Sequence, residues 1–235
     1  MPTKRSKRYQ QAVKLLEAGR RYSLEEAAEL VKKFPGPKFD QTVTLSFKMG
    51  VDPKKSDQAI RSTCPLPHGS GKKVRVLVFA KGAAADAARE AGAELVGLED
   101  MVKKVTEGFF DFDVAVATPD AMAEVRKLGK QLGPRGLMPN PKTGTVTDDT
   151  AKAVREVKAG RVDFRLDRNG NIAASIGKVS FSSQQLAENG NALIDSVIRA
   201  KPPTAKGKYI ESITLAATMT PGVLVDEAKF LKITA

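Results

Sequence analysis

VRVLVF at Val74–Phe79 and FDVAVA at Phe112–Ala117 are short, valine-rich apolar runs. Both read as strands, and the segments around them set the architecture of this part of the chain. An alanine-rich helix is predicted from Ala83 to about Ala91. Thr118-Pro119-Asp120, after the second run, offers an N-cap with proline at the first helical position. Strand, helix, strand and helix with short connections predict an α/β unit on a mostly parallel sheet. A further helix from about Asp148 to Ala159 closes on Gly160.

Between these helices lies LGKQLGPRGLMPNPKTGTV, Leu128–Val146. No acidic residue occurs between Glu124 and Asp148, whereas Arg126, Lys127, Lys130, Arg135 and Lys142 are cationic. Gly129, Gly133, Gly136 and Gly144 alternate with Pro134, Pro139 and Pro141, so a helix or central strand is not expected to run through the segment. The expectation is a defined, exposed, cationic loop suited to a polyanion.

Outward from this region the pattern changes to alternation. Ser23-Leu24-Glu25-Glu26 has capping-box spacing and starts a predicted helix ending near Phe34, before Pro35-Gly36-Pro37. From Thr42, residues Val43, Leu45, Phe47 and Met49 face one way, and Thr44, Ser46 and Lys48 the other. CPLPHGSG at Cys64–Gly71 is a run of turn formers and reads as a linker. Beyond residue 160, Val162, Phe164 and Leu166 alternate with Arg161, Asp163, Arg165 and Asp167. Asn169-Gly170 signals a type I′ hairpin turn, with Ile172, Ala174 and Ile176 continuing on its far side. A helix from Ser183 to Arg199, a strand from Tyr209 to Thr218 and another near Val223 complete the reading.

The half-buried strands at the two ends resemble each other more than they resemble the middle. The expected organisation is therefore one terminal α+β domain, residues 1–70 and 160–235, interrupted by an α/β domain at 71–159. A hinge is placed near 66–72 and 159–161. Charge follows the same division: the terminal parts carry net +10 and the insert +2.

The whole chain of 235 residues carries net +12, which implies a polyanionic partner. No segment approaches the apolar length of a membrane span, and the basic MPTKRSKRYQQAVK start lacks the apolar core of a secretory signal. A single cysteine excludes an intrachain disulfide and fits a reducing, cytoplasmic setting.

Catalytic readings find little support. The only histidine, His68, follows the only cysteine, Cys64, in a proline-rich segment, and a nucleophile–base pair there reads as coincidence. Zinc lacks ligands. Gly69-Ser70-Gly71-Lys72 imitates the end of a phosphate loop, but Leu66 replaces the first glycine, Lys73 replaces Ser/Thr, and a strand follows rather than precedes. No cofactor, metal or enzymatic activity is expected. Two alternatives are a nucleotide-dependent enzyme built on the α/β insert and a DNA- or RNA-binding regulator.

Nucleic acid fits better. The outward row Thr42, Thr44, Ser46, Lys48 and the row Ser212, Thr214, Ala216, Thr218 are small and hydroxyl-rich, able to meet phosphates and ribose 2′-OH groups. With no tryptophan and three tyrosines, a multi-base stacking platform is not expected. Structured RNA read by shape is favoured over duplex DNA, for which no recognition helix is evident.

Several motifs, in order along the chain, resemble the L-one family of large-subunit ribosomal proteins in its bacterial form. They are KFDQTV (Lys38–Val43), VDPKKSDQ (Val51–Gln58), LPHGSGK (Leu66–Lys72), GPRGLMPNPKTGTV (Gly133–Val146) and TMTPG (Thr218–Gly222). The resemblance implies a terminal α+β sandwich domain split by a Rossmann-like insert. It also implies binding of large-subunit rRNA at the mobile stalk near the tRNA exit site, with transient tRNA contact and release of deacylated tRNA. Repression of the protein's own mRNA and a monomeric state off the ribosome are implied too.

The family's main RNA surface falls on Glu29, Lys38, Phe39 and Thr42, and on Ser212, Thr218 and Met219. Lys38 is expected to neutralise phosphate. Thr42, Ser212 and Thr218 are expected to bond sugar or phosphate oxygens, Phe39 and Met219 to pack on sugar or base, and Glu29 to accept from a hydroxyl or amino group. Arg165 and Arg168 are expected to add phosphate contacts. Lys130, Arg135 and Lys142 rank second, as further RNA contacts or as lining of the interdomain cleft. Thr220 stands where the family usually has glycine. Thr220 is counted with the RNA-binding residues. A β-branched residue is poorly tolerated at φ > 0 and holds RNA further from the backbone, so either the backbone there is ordinary or RNA is bound less tightly, and Thr220→Gly is expected to strengthen RNA binding.

Overall fold

Two serines start the first helices. In the computed structural model, which describes residues 5–17, 19–205 and 207–231, Ser6 caps α1 (Lys7–Lys14) and Ser23 caps α2 (Leu24–Lys33). Residues 1–4 of the basic N-terminal stretch lie outside the described ones. The Glu26 N–H donates to the Ser23 hydroxyl and the Ser23 N–H to the Glu26 carboxylate, the reciprocal box that the spacing predicts. β1 (Thr42–Met49) and β2 (Arg61–Cys64) follow. Next come β3 (Val76–Phe79), α3 (Ala83–Glu90), β4 (Leu95–Gly97), α4 (Glu99–Thr106), β5 (Val114–Ala117), α5 (Met122–Val125), α6 (Gly129–Leu132) and α7 (Thr150–Lys158). The chain ends with β6 (Val162–Arg165), β7 (Asn171–Lys178), α8 (Ser183–Arg199), β8 (Ile210–Ala217), β9 (Val223–Val225) and α9 (Ala228–Leu231). These elements divide into two compact units, residues 1–71 with 162–235 and residues 72–161.

In the first unit four strands run antiparallel in the order β7-β1-β8-β9. Val43, Leu45, Phe47 and Met49 of β1 are buried, as are Ile213 and Leu215 of β8. They share one core with Ala27, Ala28 and Val31 of α2 and Leu186, Leu193 and Val197 of α8, so the helices cover one face of the sheet. A Cβ on Gly190 of α8 would lie 2.8 Å from Leu24 Cδ2, which is why α2 and α8 can pack so closely. β2 and β6 form a separate antiparallel ribbon.

The second unit is a three-stranded parallel sheet, order β4-β3-β5. Val76 and Val78 face Ala85 and Ala88 of α3 and Val154 and Val157 of α7. Leu77 and Phe79 face Met101 and Val105 of α4 and Leu128 and Leu132 beyond α5. Burial on both faces explains the unbroken apolar run of β3.

Four readings change. The Leu128–Val146 segment is not an exposed loop throughout. Gly129–Leu132 forms a helical turn, Leu128 and Leu132 enter the core, and Thr143 and Thr145 are buried. Val146 bridges Ala117 in parallel, extending the edge of β5. Apolar residues spaced four apart supplied the anchoring that the glycines and prolines obscured. Asn169-Gly170 does not form a type I′ turn, which needs positive φ at both central residues. Among the described residues no non-glycine has positive φ. Gly170 alone does, and the Gly170 N–H donates to the Asp167 carbonyl while the Asp167 carboxylate accepts from the Asn169 and Asn171 N–H groups. That is the three-residue hairpin with a left-handed glycine.

The helix expected from Thr118-Pro119-Asp120 begins only at Met122, because Thr118 caps the preceding turn through the Ala121 N–H. Finally, Cys64–Gly71 is no free linker. Cys64 and Leu66 are buried, and the wholly buried Asn189 of α8 accepts from the His68 N–H at 3.0 Å and donates to the Gly69 and Ile176 carbonyls at 3.0 and 2.7 Å. β4 and α4 have no counterpart in the sequence reading.

Two consequences can be measured. Asn189→Ala removes one buried and two part-buried hydrogen bonds to the backbone and should lower stability by about 2–3 kcal/mol, read as a lower urea midpoint. In the second unit, the Asp113 carboxylate accepts from Lys72 Nζ at 2.8 Å and from the Arg75 N–H at 3.1 Å. The Lys72 bond, first, and then the Arg75 N–H hold its pKa down at about 2. A depressed carboxylate stabilises above its unfolded pKa and loses that contribution as pH falls towards 2. Thermal melts between pH 4 and 2 should therefore fall more steeply for the native protein than for Asp113→Asn.

Candidate nucleic-acid interface

The sheet face turned away from α2 and α8 presents Thr44, Ser46 and Lys48 of β1 and Ser212, Thr214 and Ala216 of β8. Pairing sets Ser46 opposite Thr214 and Lys48 opposite Ser212. On the other edge of β1, Ser175 and Ala173 of β7 stand beside Thr44 and Ser46. The surface is a half-exposed band of short, mostly hydroxyl-bearing side chains with no aromatic in it.

One end of the band is tightly wired. The Thr218 hydroxyl accepts from the Thr42 N–H and donates to the Thr42 carbonyl, both at 3.3 Å, and the Thr218 N–H donates to that same carbonyl. Lys178 Nζ donates to the Thr42 hydroxyl at 2.8 Å. Buried Gln41 receives the Met219 N–H on its side-chain oxygen at 2.9 Å and the Val179 N–H on its carbonyl. The Asp40 carboxylate is occupied by the Ser180 N–H and hydroxyl. On this frame Phe39 is 52% exposed and Met219 49% exposed. Two large apolar side chains are thus left exposed to water, and Lys38, next to Phe39 in sequence, has no ion-pair partner among the described residues.

The other expected residues are distributed differently. Ser212 is six residues along β8 from Thr218, roughly 20 Å away at the rise of a strand. It stands beside Lys48, whose ammonium pairs with Glu211 at 2.8 Å and is held above its usual range by that bond. A register shift between Lys48 and Met49 brings Glu211 there. The Asp167–Asn171 hairpin lies at this same end, since the Met49 N–H donates to the Gly170 carbonyl. Arg168 is exposed in the hairpin, and Arg165 pairs directly opposite Arg61 across the β2–β6 ribbon. Like charges in directly opposed positions oppose strand pairing. Glu29 joins neither group: it is ion-paired with Lys33 at 3.7 Å and lines an open groove with Leu15, Arg20 and Tyr22.

In the second unit, the Arg135 guanidinium lies 3.8 Å from the centre of the Phe110 ring, and Lys130 is exposed on the helical turn. The side chain of Lys142 lies outside the described ones. Sequence reasoning missed Lys178 and Arg61. Each is placed by pairing with a strand more than 100 residues away, at Thr42 and Arg165, and no local pattern marks either.

The Cys64–His68 pair is not arranged for catalysis. Burial raises the Cys64 thiol pKa, keeping it protonated, and the His68 ring is engaged by Glu188. Among the described residues no cluster of His, Cys, Asp and Glu is arranged to hold a metal ion, and no helix is long and apolar enough to cross a membrane.

A split α+β unit with an open hydroxyl-rich sheet face, flanked by Lys38, Arg61, Arg165 and Arg168, which pair with no described carboxylate, and interrupted by a three-layer α/β unit, is the build of a nucleic-acid-binding protein. The model of the Ribosomal protein L1p/L10e family matches residues 31–221, and the chain belongs to that family. Membership makes it a protein of the large ribosomal subunit that binds ribosomal RNA.

The Thr220 question has an answer in the backbone. Thr220 does not have positive φ; its hydroxyl accepts from the Ala217 N–H at 2.9 Å and its N–H donates to the Ala217 carbonyl. Backbone strain is thereby removed as a reason to expect tighter RNA binding from a glycine at this position. Thr220→Gly should instead loosen the turn, costing about 1 kcal/mol in denaturant melts and leaving RNA affinity no higher than native.

Proposed function

We propose that the protein binds the mobile stalk of large-subunit rRNA, near the tRNA exit site, through the Phe39–Thr42 and Thr218–Met219 end of the first unit. The observation that carries this is the exposure of Phe39 and Met219 on a frame fixed by Gln41, Thr42 and Thr218. The two apolar groups pack on sugar or base, while Lys38 and Lys178 meet phosphate. The Ser46, Ser175, Ser212 and Thr214 hydroxyls follow the backbone along the sheet. Arg61, Arg165 and Arg168 take phosphates at the far end. A surface of this kind suits RNA shape and ribose hydroxyls better than duplex base edges.

The same surface serves a stem in the protein's own mRNA, so free protein represses its synthesis. On the ribosome the protein contacts tRNA transiently and aids release of deacylated tRNA. It acts as a monomer off the ribosome, in the cytoplasm, without catalysis or cofactor. The terminal unit carries the RNA function, the α/β insert moves about it, and the chain crossings at residues 71–72 and 161–162 act as the hinge. Docking of Leu66–Gly69 on Asn189 keeps that part of the strap fixed.

The test is binding to a stalk RNA fragment and to a scrambled RNA across a salt series. The Phe39→Ala/Met219→Ala protein should lose at least about tenfold in affinity for the stalk RNA without a change in Tm, because neither side chain is buried. Its salt slope, roughly 0.7–0.9 per phosphate contact, should stay unchanged. Equal affinity for both RNAs, or full affinity in the double variant, would overturn the assignment.

A further inference from the structure

Lys178 has an uncommitted charge on a confined stem. Its Nζ donates to the Thr42 hydroxyl at 2.8 Å, and it forms no ion pair among the described residues. An ammonium carries more donors than that one bond uses. A lysine stem is ordinarily flexible, and ordering it on binding costs affinity. Here Gly71, the last residue of the first unit before the chain crosses to the second, lies against it. Gly71 has φ +69°, and a Cβ on it would stand 3.0 Å from Lys178 Cγ and 3.0 Å from Phe181 Cε1. Glycine permits both the backbone geometry and the approach. Gly177 meets the same ring, since a Cβ there would stand 2.9 Å from Phe181 Cδ2.

Both sides of this contact are anchored. Two residues before Gly71, the Gly69 carbonyl is held by Asn189, as is the His68 N–H. In the turn after β7, the Phe181 N–H donates to the Lys178 carbonyl at 3.0 Å and the Val179 N–H to the Gln41 carbonyl. Asp40 holds Ser180, and Lys32 Nζ donates to the Phe181 carbonyl at 2.6 Å. Strand register sets Lys178 opposite Thr42. We propose that Gly71 and Phe181 are positioning residues for Lys178, confining its stem so that the ammonium stands beside Thr42, ready for an RNA phosphate. This rests on reading the Phe39–Met219 end as the RNA site. It makes the start of the crossing between the units part of the construction of that site.

The test uses the full-length protein with Gly71→Ala, Phe181→Leu and Lys178→Gln, singly and combined. Without RNA, side-chain NMR of labelled lysine should show a dispersed Lys178 signal, assigned by its loss in Lys178→Gln. Gly71→Ala and Phe181→Leu should each move that signal towards the values of exposed lysines. With the stalk RNA fragment, each should lower affinity roughly tenfold and reduce the salt slope by about 0.7–0.9, the loss of one phosphate contact. Neither should add a further loss to Lys178→Gln. Phe181→Leu keeps an apolar group and a permitted backbone, so it decides the matter if Gly71→Ala does not fold. A Lys178 signal unchanged in the variants overturns the proposal, as do losses that add to Lys178→Gln with the salt slope unaltered. If the native protein does not prefer stalk RNA to a scrambled RNA, the assignment of the RNA site fails, and the RNA-free spectra alone decide whether Gly71 and Phe181 position the lysine.

Discussion

The structure of the first unit depends on β1, which hydrogen-bonds on both edges to strands contributed by the far end of the chain. Thr42 meets Lys178 on one side, and Val43 meets Ala217 on the other. Because side chains alternate, a slip of one residue in either pairing would turn Leu45 and Phe47 outward and bury the hydroxyl row. The core therefore specifies the outer face. Register shifts occur only at the two ends, between Val43 and Thr44 on the β7 edge and between Lys48 and Met49 on the β8 edge. Bulges re-aim side chains, and each sits beside one of the candidate contact clusters. The insert between β2 and β6 does not weaken this pairing severely, since loop closure costs rise only slowly with length. It also has a core of its own.

Charge is disposed differently in the two units. Lys72, Arg75, Lys81, Arg89, Lys127, Lys158 and Arg161 of the insert each have a carboxylate partner. Exposed pairs of this kind add little stability, about 0–1 kcal/mol each. Their larger effect is to cancel field. Around the sheet of the first unit Lys38, Arg61, Arg165 and Arg168 make no ion pair among the described residues, so part of the excess positive charge read from composition is left near the hydroxyl band. The cost is visible at Arg61 and Arg165, two like charges placed opposite each other.

Local signals in the sequence were reliable where one physical rule dominated. The Ser23–Glu26 box, the alternation from Val43 to Met49 and the helix Ser183–Arg199 all follow from capping or periodicity alone. Failures came where rules competed. In Leu128–Val146, glycine and proline argued for an irregular exposed loop, while Leu128, Leu132 and Thr145 were drawn into the core and sheet edge of the unit. At Asn169-Gly170 the dipeptide fits a type I′ turn, but the Asp167 carboxylate captures the Asn169 and Asn171 N–H groups and selects another geometry. Of the candidate site, the residues local to one segment were legible. Lys178 and Arg61 were not, because only long-range pairing brings them to Thr42 and Arg165.

The wiring beneath Phe39 and Met219 bears on how such a patch can bind tightly with few aromatics. Gln41 is buried, and its amide oxygen fixes the Met219 backbone, while its carbonyl fixes the segment after β7. Asp40 secures that same segment through Ser180, and Thr218 is bonded to both backbone groups of Thr42. Three segments distant in sequence are thus locked together by hydrogen bonds before any ligand arrives. Ordering a loop on association costs affinity, and a contact patch already held in place avoids that cost. It also means that the hydroxyls nearest the apolar pair serve the frame first. The Thr218 hydroxyl has its proton committed to the Thr42 carbonyl and keeps a lone pair, whereas the Thr42 hydroxyl accepts from Lys178 Nζ and keeps its proton to donate. In the proposed RNA complex, discrimination at this end falls to the shape made by Phe39 and Met219, and hydrogen-bonding to sugar oxygens falls to the less committed hydroxyls further along the sheet.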